Sequence, residues 1–89
     1  MKNKKIIINN KLGLHARAAA KFVRIASGFQ SEIMIHLGSH EVSGKSIMGI
    51  MMLAAGKGTE INIITIGPDE NEAMTSLEDL IINKFGEPE

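Results

Sequence analysis

A chain of 89 residues has room for one domain with a modest hydrophobic core, and we expect a single domain over residues 1–89. Ten Lys and Arg balance ten Asp and Glu, so the formal net charge is zero, which argues against a general nucleic-acid-binding protein. The chain has no cysteine, which excludes disulfides and thiolate metal sites, and we expect no bound metal or cofactor. The apolar run Ile6-Ile7-Ile8 is too short for a signal peptide or a membrane span, so we expect a cytoplasmic protein without membrane association.

The first half of the chain predicts three strands and one helix. β-branched and apolar residues predict a strand over residues 5–9. Four apolar side chains recur at i, i+3, i+4 and i+7 and predict a helix from residue 16 to about residue 27: Ala19, Phe22, Val23 and Ala26. Alternation of apolar and other residues predicts a strand over residues 32–37. A turn at Gly38-Ser39 then leads into a short partner strand over residues 40–43, which makes a hairpin.

The second half predicts two helices around one strand. Ser46 is a good helix cap, and the apolar residues 47–55 form a second helix that ends at Gly56. Residues 60–66 predict a strand; Ile61, Ile63 and Thr65 share one face, although Ile64 and Ile66 leave open which face is buried. Asp69 and Glu72 resemble a capping box. The third helix that they open has its core stripe at Ala73, Leu77, Leu80 and Ile81.

The order of predicted elements is β-α-β-β-α-β-α. Each helix carries an apolar face that must be buried, and covering one face of a sheet achieves this. The sequence therefore predicts an α+β fold, a two-layer sandwich with the helices on one side of the sheet.

The segment Gly13-Leu14-His15-Ala16-Arg17 places a histidine where a helix begins. We expect the His15 ring to cap this helix and to lie beside unpaired backbone N–H groups at the positive end of the helix dipole. Arg17 adds a full positive charge in the first turn, so the helix start at Ala16 and Arg17 could hold a phosphoryl group. From the residues alone, the alternative of a surface histidine without a role stays open. No acid or base lies nearby in the sequence, so a hydrolase triad is not supported.

Two other groups of polar residues are weaker candidates. His36 and His40 flank the hairpin turn, but no carboxylate-rich set joins them, and we expect no metal site there. Gly44-Lys45-Ser46 invites a nucleotide-binding interpretation, yet position 39, where a phosphate-binding loop needs glycine, is serine. Ser46 at a helix start is instead a candidate phosphorylation site, because the helix dipole favours the added negative charge.

The second helix carries three methionines and is apolar almost all round. A domain of this size cannot bury every face of such a helix, so we expect Ile47, Met48 and Met51 to be partly exposed. Flexible thioethers suit a surface that docks several partners in turn. Arg17, Ala20 and Arg24 share one face of the first helix, and we expect them beside this surface. The two arginines would give it a basic rim, matched to a partner surface with an acidic rim.

The motifs at residues 12–19 and 44–49, together with Gly56-Lys57-Gly58-Thr59-Glu60, resemble the HPr family, the histidine-containing phosphocarriers of the bacterial phosphoenolpyruvate-dependent phosphotransferase system. The resemblance implies an open-faced β-sandwich with strand order 1-4-2-3 and three helices on one face. It implies that His15 accepts a phosphoryl group, through Nδ1, from the phosphorylated first enzyme of the system and passes it to a downstream acceptor protein. It also implies that Ser46 is a regulatory site for a serine kinase and phosphatase. Such a carrier is not an independent enzyme, and we expect a monomer.

The chain departs from the sugar-pathway members in one respect. Those members often carry Thr after the histidine and Pro after the arginine, where this chain has Ala16 and Ala18. These alanines, together with Ala19 and the segment Met51-Met52-Leu53-Ala54-Ala55, resemble the nitrogen-related branch, whose acceptor is regulatory. Two alternative classes are a regulatory binding module controlled through Ser46 with no carrier role, and an RNA-binding α+β domain. The latter needs exposed aromatic residues on its strands, and none of the three Phe is predicted on a strand.

Overall fold

Four antiparallel strands form one sheet, and three helices cover one of its faces. The structure is a computed structural model that describes residues 1–89. In chain order the elements are β1 (Lys2–Ile7), α1 (Ala16–Ala26), β2 (Glu32–Leu37), β3 (His40–Ser43), α2 (Ile47–Met52), β4 (Glu60–Ile66) and α3 (Glu70–Ile82), followed by a 3₁₀ turn (Lys84–Gly86). The strand order is β1-β4-β2-β3. The predicted α+β sandwich, its element order and its open sheet are confirmed.

The central strands bury the face that the alternating pattern indicates. Ile33 and Ile35 on β2 and Ile61 and Ile63 on β4 are almost wholly buried, and Ile35 pairs directly with Ile63. Thr65 lies on the same face of β4 and donates its hydroxyl proton to the Glu70 carbonyl, which satisfies a buried polar group. The buried face of β4, which the sequence did not decide, is therefore the face that carries Ile61, Ile63 and Thr65. Apolar burial of this kind stabilises the fold by roughly 25 cal/mol per Å².

Two predicted boundaries are wrong, and both misses have local causes. β1 runs from Lys2 to Ile7, whereas the prediction was residues 5–9, because its pairing with β4 begins at Lys2 opposite Thr65 and ends at Ile7 opposite Glu60. Backbone pairing at this edge of the sheet does not require apolar side chains, so the apolar run begins later than the strand does. α2 ends at Met52 instead of residue 55, because Ala54 adopts a positive φ of 53° that a helix cannot contain.

The predicted capping box at the start of α3 is also wrong. Asp69 precedes α3 but its side chain makes no cap hydrogen bond. Its carboxylate instead accepts hydrogen bonds from the backbone N–H groups of Gln30 and Ser31 and from the Ser31 hydroxyl. The Ser31 hydroxyl is the main cause that lowers the pKa of the Asp69 carboxyl, followed by the Gln30 amide. These hydrogen bonds connect the start of α3 to the loop before β2.

The loop before α1 is fixed in place by a glycine. Gly13 has a φ of +65°, and a Cβ atom there would lie 2.4 Å from the Ala55 carbonyl oxygen. The next amide, that of Leu14, donates to the same carbonyl at 2.9 Å, and the Leu14 side chain is buried. Only glycine permits both this backbone conformation and this close approach. The contact sets the direction in which the chain enters α1 at His15.

Candidate functional site

His15 lies at the start of α1 with its backbone extended and its side chain 25% exposed. Its carbonyl accepts the first helical hydrogen bond from the Ala19 amide at 2.8 Å. The expectation that its ring caps the helix is wrong, since the side chain makes no cap hydrogen bond. The ring instead lies against Glu87, with 2.6 Å between Nε2 and a carboxylate oxygen. The ring binds this carboxylate instead of the helix amides because charge-assisted hydrogen bonds are stronger than neutral ones.

The start of α1 presents free hydrogen-bond donors. The amides of Ala16, Arg17 and Ala18 have no backbone acceptor, as expected for the first turn of a helix. No acidic residue lies in this turn to occupy them. The free amides predicted at the start of α1 are therefore present, directly after His15 in the chain, and they favour an anion.

Arg17 and the histidine border an open depression of about 520 Å³. Its lining comes from the loop, the helix start and the C-terminal tail: Lys11, Leu12, His15, Ala16, Arg17, Glu87, Pro88 and Glu89. The guanidinium of Arg17 makes no ion pair or hydrogen bond in the structure, and the residue is exposed. A free guanidinium can bind a phosphate bidentately without first breaking another contact.

Sequence reasoning missed the C-terminal side of this site. Glu87 is only 10% exposed and lies 72 positions from His15 in the chain. Burial raises the pKa of the Glu87 carboxyl, but hydrogen bonds from Asn10 and His15 and the nearby Lys21 ammonium outweigh it, so the pKa lies below its usual value. The carboxyl is therefore ionised at neutral pH. Nothing local in the sequence marks Glu87, because its partners come from distant segments.

Ser46 caps α2 as predicted. Its hydroxyl oxygen accepts a hydrogen bond from the Gly49 amide at 3.0 Å. Ser46 is partly exposed, so its hydroxyl is not enclosed by the core.

The exposed side of α2 is apolar. Met48 is 72% exposed, and Ile47 and Met51 are each 42% exposed, whereas Ile50 points into the core. Helix α1 packs against α2, and it carries Ala20 and Arg24 outside its buried stripe. The predicted exposure is confirmed, and Met52 is exposed as well. Met52 was missed because the sequence gives no sign that α2 stops there.

The other two histidines lie on the hairpin. His36 on β2 is opposite Glu41 on β3, with 2.5 Å between Nε2 and a carboxylate oxygen, and His40 is exposed. No group of three or more His, Asp or Glu side chains converges in the structure. None of the helices has the length and apolar character needed to cross a bilayer.

Known proteins with a similar sequence and fold are phosphocarriers. Residues 2–83 match the PTS-HPr family, described as the PTS HPr component phosphorylation site. The phosphocarrier protein HPr of Neisseria meningitidis is 56% identical over 89 residues, which is the whole of both chains. HPr of Cupriavidus necator is 54% identical over 82 residues, or 92% of each chain.

Solved structures agree with the sequence matches. The crystal structure of HPr from Thermoanaerobacter tengcongensis covers 100% of both chains with a TM-score of 0.96 and 48% identity. A second crystal structure, described as an HPr dimer from the same organism, covers 98% of this chain and 100% of that one with a TM-score of 0.79 and 49% identity. The expectation of a monomer stays a prediction.

The chain belongs to the HPr family of the phosphotransferase system. It is a phosphocarrier that interacts with enzymes of that system and is not an independent enzyme. A regulatory module without a carrier role is not favoured.

Proposed function

We propose that His15 accepts the phosphoryl group from the phosphorylated first enzyme of the system and passes it to a downstream acceptor protein. The observation that carries this assignment is the position of His15 beside the three free amides at the start of α1 and the unpaired Arg17. Incubation with the first enzyme and phosphoenolpyruvate, followed by intact mass, tests it. An acid-labile gain of one phosphoryl group supports a histidine carrier, whereas no gain contradicts it.

The transfer needs a ring nitrogen with a free lone pair as nucleophile. The Nδ1 lone pair attacks phosphorus, and the bond from phosphorus to the donor atom breaks with its electron pair left on the donor. The dianionic product is bound by the amides near Ala16 and Arg17 and by the Arg17 guanidinium. This binding must stay weak, because a carrier has to release the group to the next protein.

The downstream acceptor is proposed to be of the nitrogen-regulatory type. Ala16 and Ala18 support this branch, since they stand where sugar-pathway members often carry Thr and Pro. Parallel transfer assays with a nitrogen-type and a sugar-type acceptor distinguish the branches. Faster transfer to the sugar-type acceptor would contradict the assignment.

We expect Met48→Glu to weaken binding to the first enzyme without unfolding the protein. The docking surface that we propose for the first enzyme has an apolar centre formed by Ile47, Met48 and Met51. Its rim is formed by Arg17, Ala20 and Arg24 of α1. A carboxylate at the centre would be desolvated on binding and would face an acidic partner rim. The loss of affinity should be about tenfold or more, measured by titration calorimetry.

The matched control for this test is Ile82→Glu, which places the same charge at another exposed apolar position, on α3. It should bind like the parent. A stable Met48→Glu protein with parental affinity would place Met48 outside the interface.

We expect Ser46→Asp to slow phosphorylation of His15 while keeping or slightly raising the melting temperature. An aspartate at this cap can still accept from the Gly49 amide, and negative charge suits a helix start. The acidic rim of the partner would be repelled by it. A phosphoserine adds about −1.5 to −2 charges, so the single charge of the mimic gives a partial effect.

Ser39→Asp is the control, because it adds the same charge in the exposed hairpin turn. Rates are measured as initial phosphorylation by the first enzyme, and stability by thermal unfolding. If Ser46→Asp melts well below the parent, the lost rate reflects unfolding and the electrostatic block is wrong.

A further inference from the structure

The C-terminal tail is attached to the helix-start site at several points. Phe85 is buried, and its carbonyl accepts a hydrogen bond from the Lys21 ammonium at 2.6 Å. At the far end of the tail, the Glu89 carbonyl accepts from the Lys11 amide at 2.9 Å. Glu87 lies between these two attachments, so its carboxylate reaches the His15 ring from a defined direction.

A buried asparagine fixes the orientation of that carboxylate. Asn10 is fully buried, and its Nδ2 group donates both to the Gly13 carbonyl at 2.9 Å and to Oε1 of Glu87 at 3.1 Å. The second carboxylate oxygen, Oε2, is then the one that faces Nε2 of His15 at 2.6 Å. Each oxygen of Glu87 has its own partner, and the two cannot exchange without loss of a buried hydrogen bond.

We infer that Glu87 is a positioning residue for phosphoryl transfer, whose carboxylate keeps the proton of the His15 ring on Nε2 and leaves the Nδ1 lone pair free. The inference rests on the proposed function of His15. An ionised carboxylate has only acceptors, so at 2.6 Å it requires a proton on Nε2 and repels the lone pair of the other tautomer. The hydrogen bond made by one ring nitrogen in this way determines the state of the other.

The same contact suits the chemistry of the step. When Nδ1 forms its bond to phosphorus, the bond between phosphorus and the donor atom breaks and its electron pair stays with the donor. The ring keeps its Nε2 proton and gains a positive charge. The Glu87 carboxylate, on the far side of the ring, stabilises this charge as it develops, and no proton has to enter or leave. When the phosphoryl group passes to the acceptor protein, the bond between Nδ1 and phosphorus breaks and its electron pair returns to Nδ1. The ring then loses its positive charge and still keeps its Nε2 proton.

Replacement of Glu87 by glutamine gives the sharpest test. In this variant the Asn10 Nδ2 group still donates one proton to the Gly13 carbonyl, and its second proton still needs an acceptor. The amide oxygen of the glutamine therefore takes the place of Oε1. The amide NH₂ group then faces the His15 ring and donates to Nε2. Glu87→Gln should therefore move the ring proton to Nδ1, whereas Glu87→Ala should leave a mixture of both tautomers.

The tautomer is read from the ¹⁵N chemical shifts of the unphosphorylated protein, labelled at histidine and assigned with His15→Ala. We expect the parent to carry its proton on Nε2 and Glu87→Gln to carry it on Nδ1. Glu41→Ala removes the similar contact at His36 and should leave the His15 tautomer unchanged. An Nε2-protonated ring in Glu87→Gln would overturn the inference. This measurement does not depend on whether His15 is phosphorylated.

Transfer rates supply the second readout. We expect Glu87→Gln to accept the phosphoryl group about tenfold more slowly than the parent, with Glu87→Ala between the two and Glu41→Ala equal to the parent. Melting temperatures are compared so that a loosened tail is recognised. Transfer as fast as the parent in Glu87→Gln would overturn the inference, and faster transfer would mean that the tail blocks the site. A parent that accepts no phosphoryl group on His15 would contradict the proposed function instead.

Discussion

His15→Ala is expected to abolish acid-labile phosphorylation by the first enzyme while leaving the protein folded. His15 supplies the reacting nitrogen, and neither His36 nor His40 lies at a helix start with free amides. The histidine lies at the surface end of α1 and contributes no core packing, so the unfolding free energy should change by only about 1 kcal/mol. Phosphorylation is measured by intact mass, and folding by circular dichroism and thermal unfolding.

His40→Ala is the control for this result, because it removes an exposed histidine from the hairpin. It should accept the phosphoryl group like the parent. Undiminished acid-labile labelling of His15→Ala would show that the group is carried elsewhere.

Arg17→Glu is expected to slow phosphoryl transfer by a factor of about 10² or more, with little loss of stability. The guanidinium is exposed and unpaired, so the fold does not depend on it. Its charge acts on the phosphoryl group during and after transfer, and a carboxylate in its place repels that group. Arg17→Lys keeps the charge but loses bidentate binding, so its rate should lie between the two.

The control for the change in net charge is Lys5→Glu on β1, an exposed position on the sheet. It should transfer at the parental rate if the effect of Arg17 is local. Equal rates for Arg17→Glu and the parent would show that the helix amides suffice to hold the group.

The parts of the fold that could be predicted are those with a local signal. The alternation in β2 and β4 reports directly which side chains are buried, and the bounds of β2, β3 and β4 are as predicted. Ser46 was recognised as a cap because its hydroxyl acts only three residues ahead, on Gly49. The start of β1 has no such signal, since Lys2 and Lys4 belong to the strand only through pairing with β4.

The site shows the same division between local and distant information. His15, Arg17 and the free amides are neighbours in sequence, so the motif alone indicated where an anion could bind. Glu87 could not be found in this way. It reaches His15 only because Phe85 is buried and Asn10 is folded against the tail, and these contacts span more than 60 residues. The prediction that the ring caps the helix is wrong because no local signal in the sequence indicates this carboxylate.

Peptide mapping of the phosphorylated protein tests the central assignment most directly. Trypsin cleaves after Lys11 and Arg17, and His15 is the only histidine in the resulting fragment, residues 12–17, which also contains no Ser, Thr, Asp or Glu. The other two histidines fall together in residues 25–45, and Ser46 begins the next fragment. With digestion and separation kept at neutral to alkaline pH, the account predicts one acid-labile phosphoryl group on residues 12–17. An acid-labile group on residues 25–45, with none on residues 12–17, would contradict it.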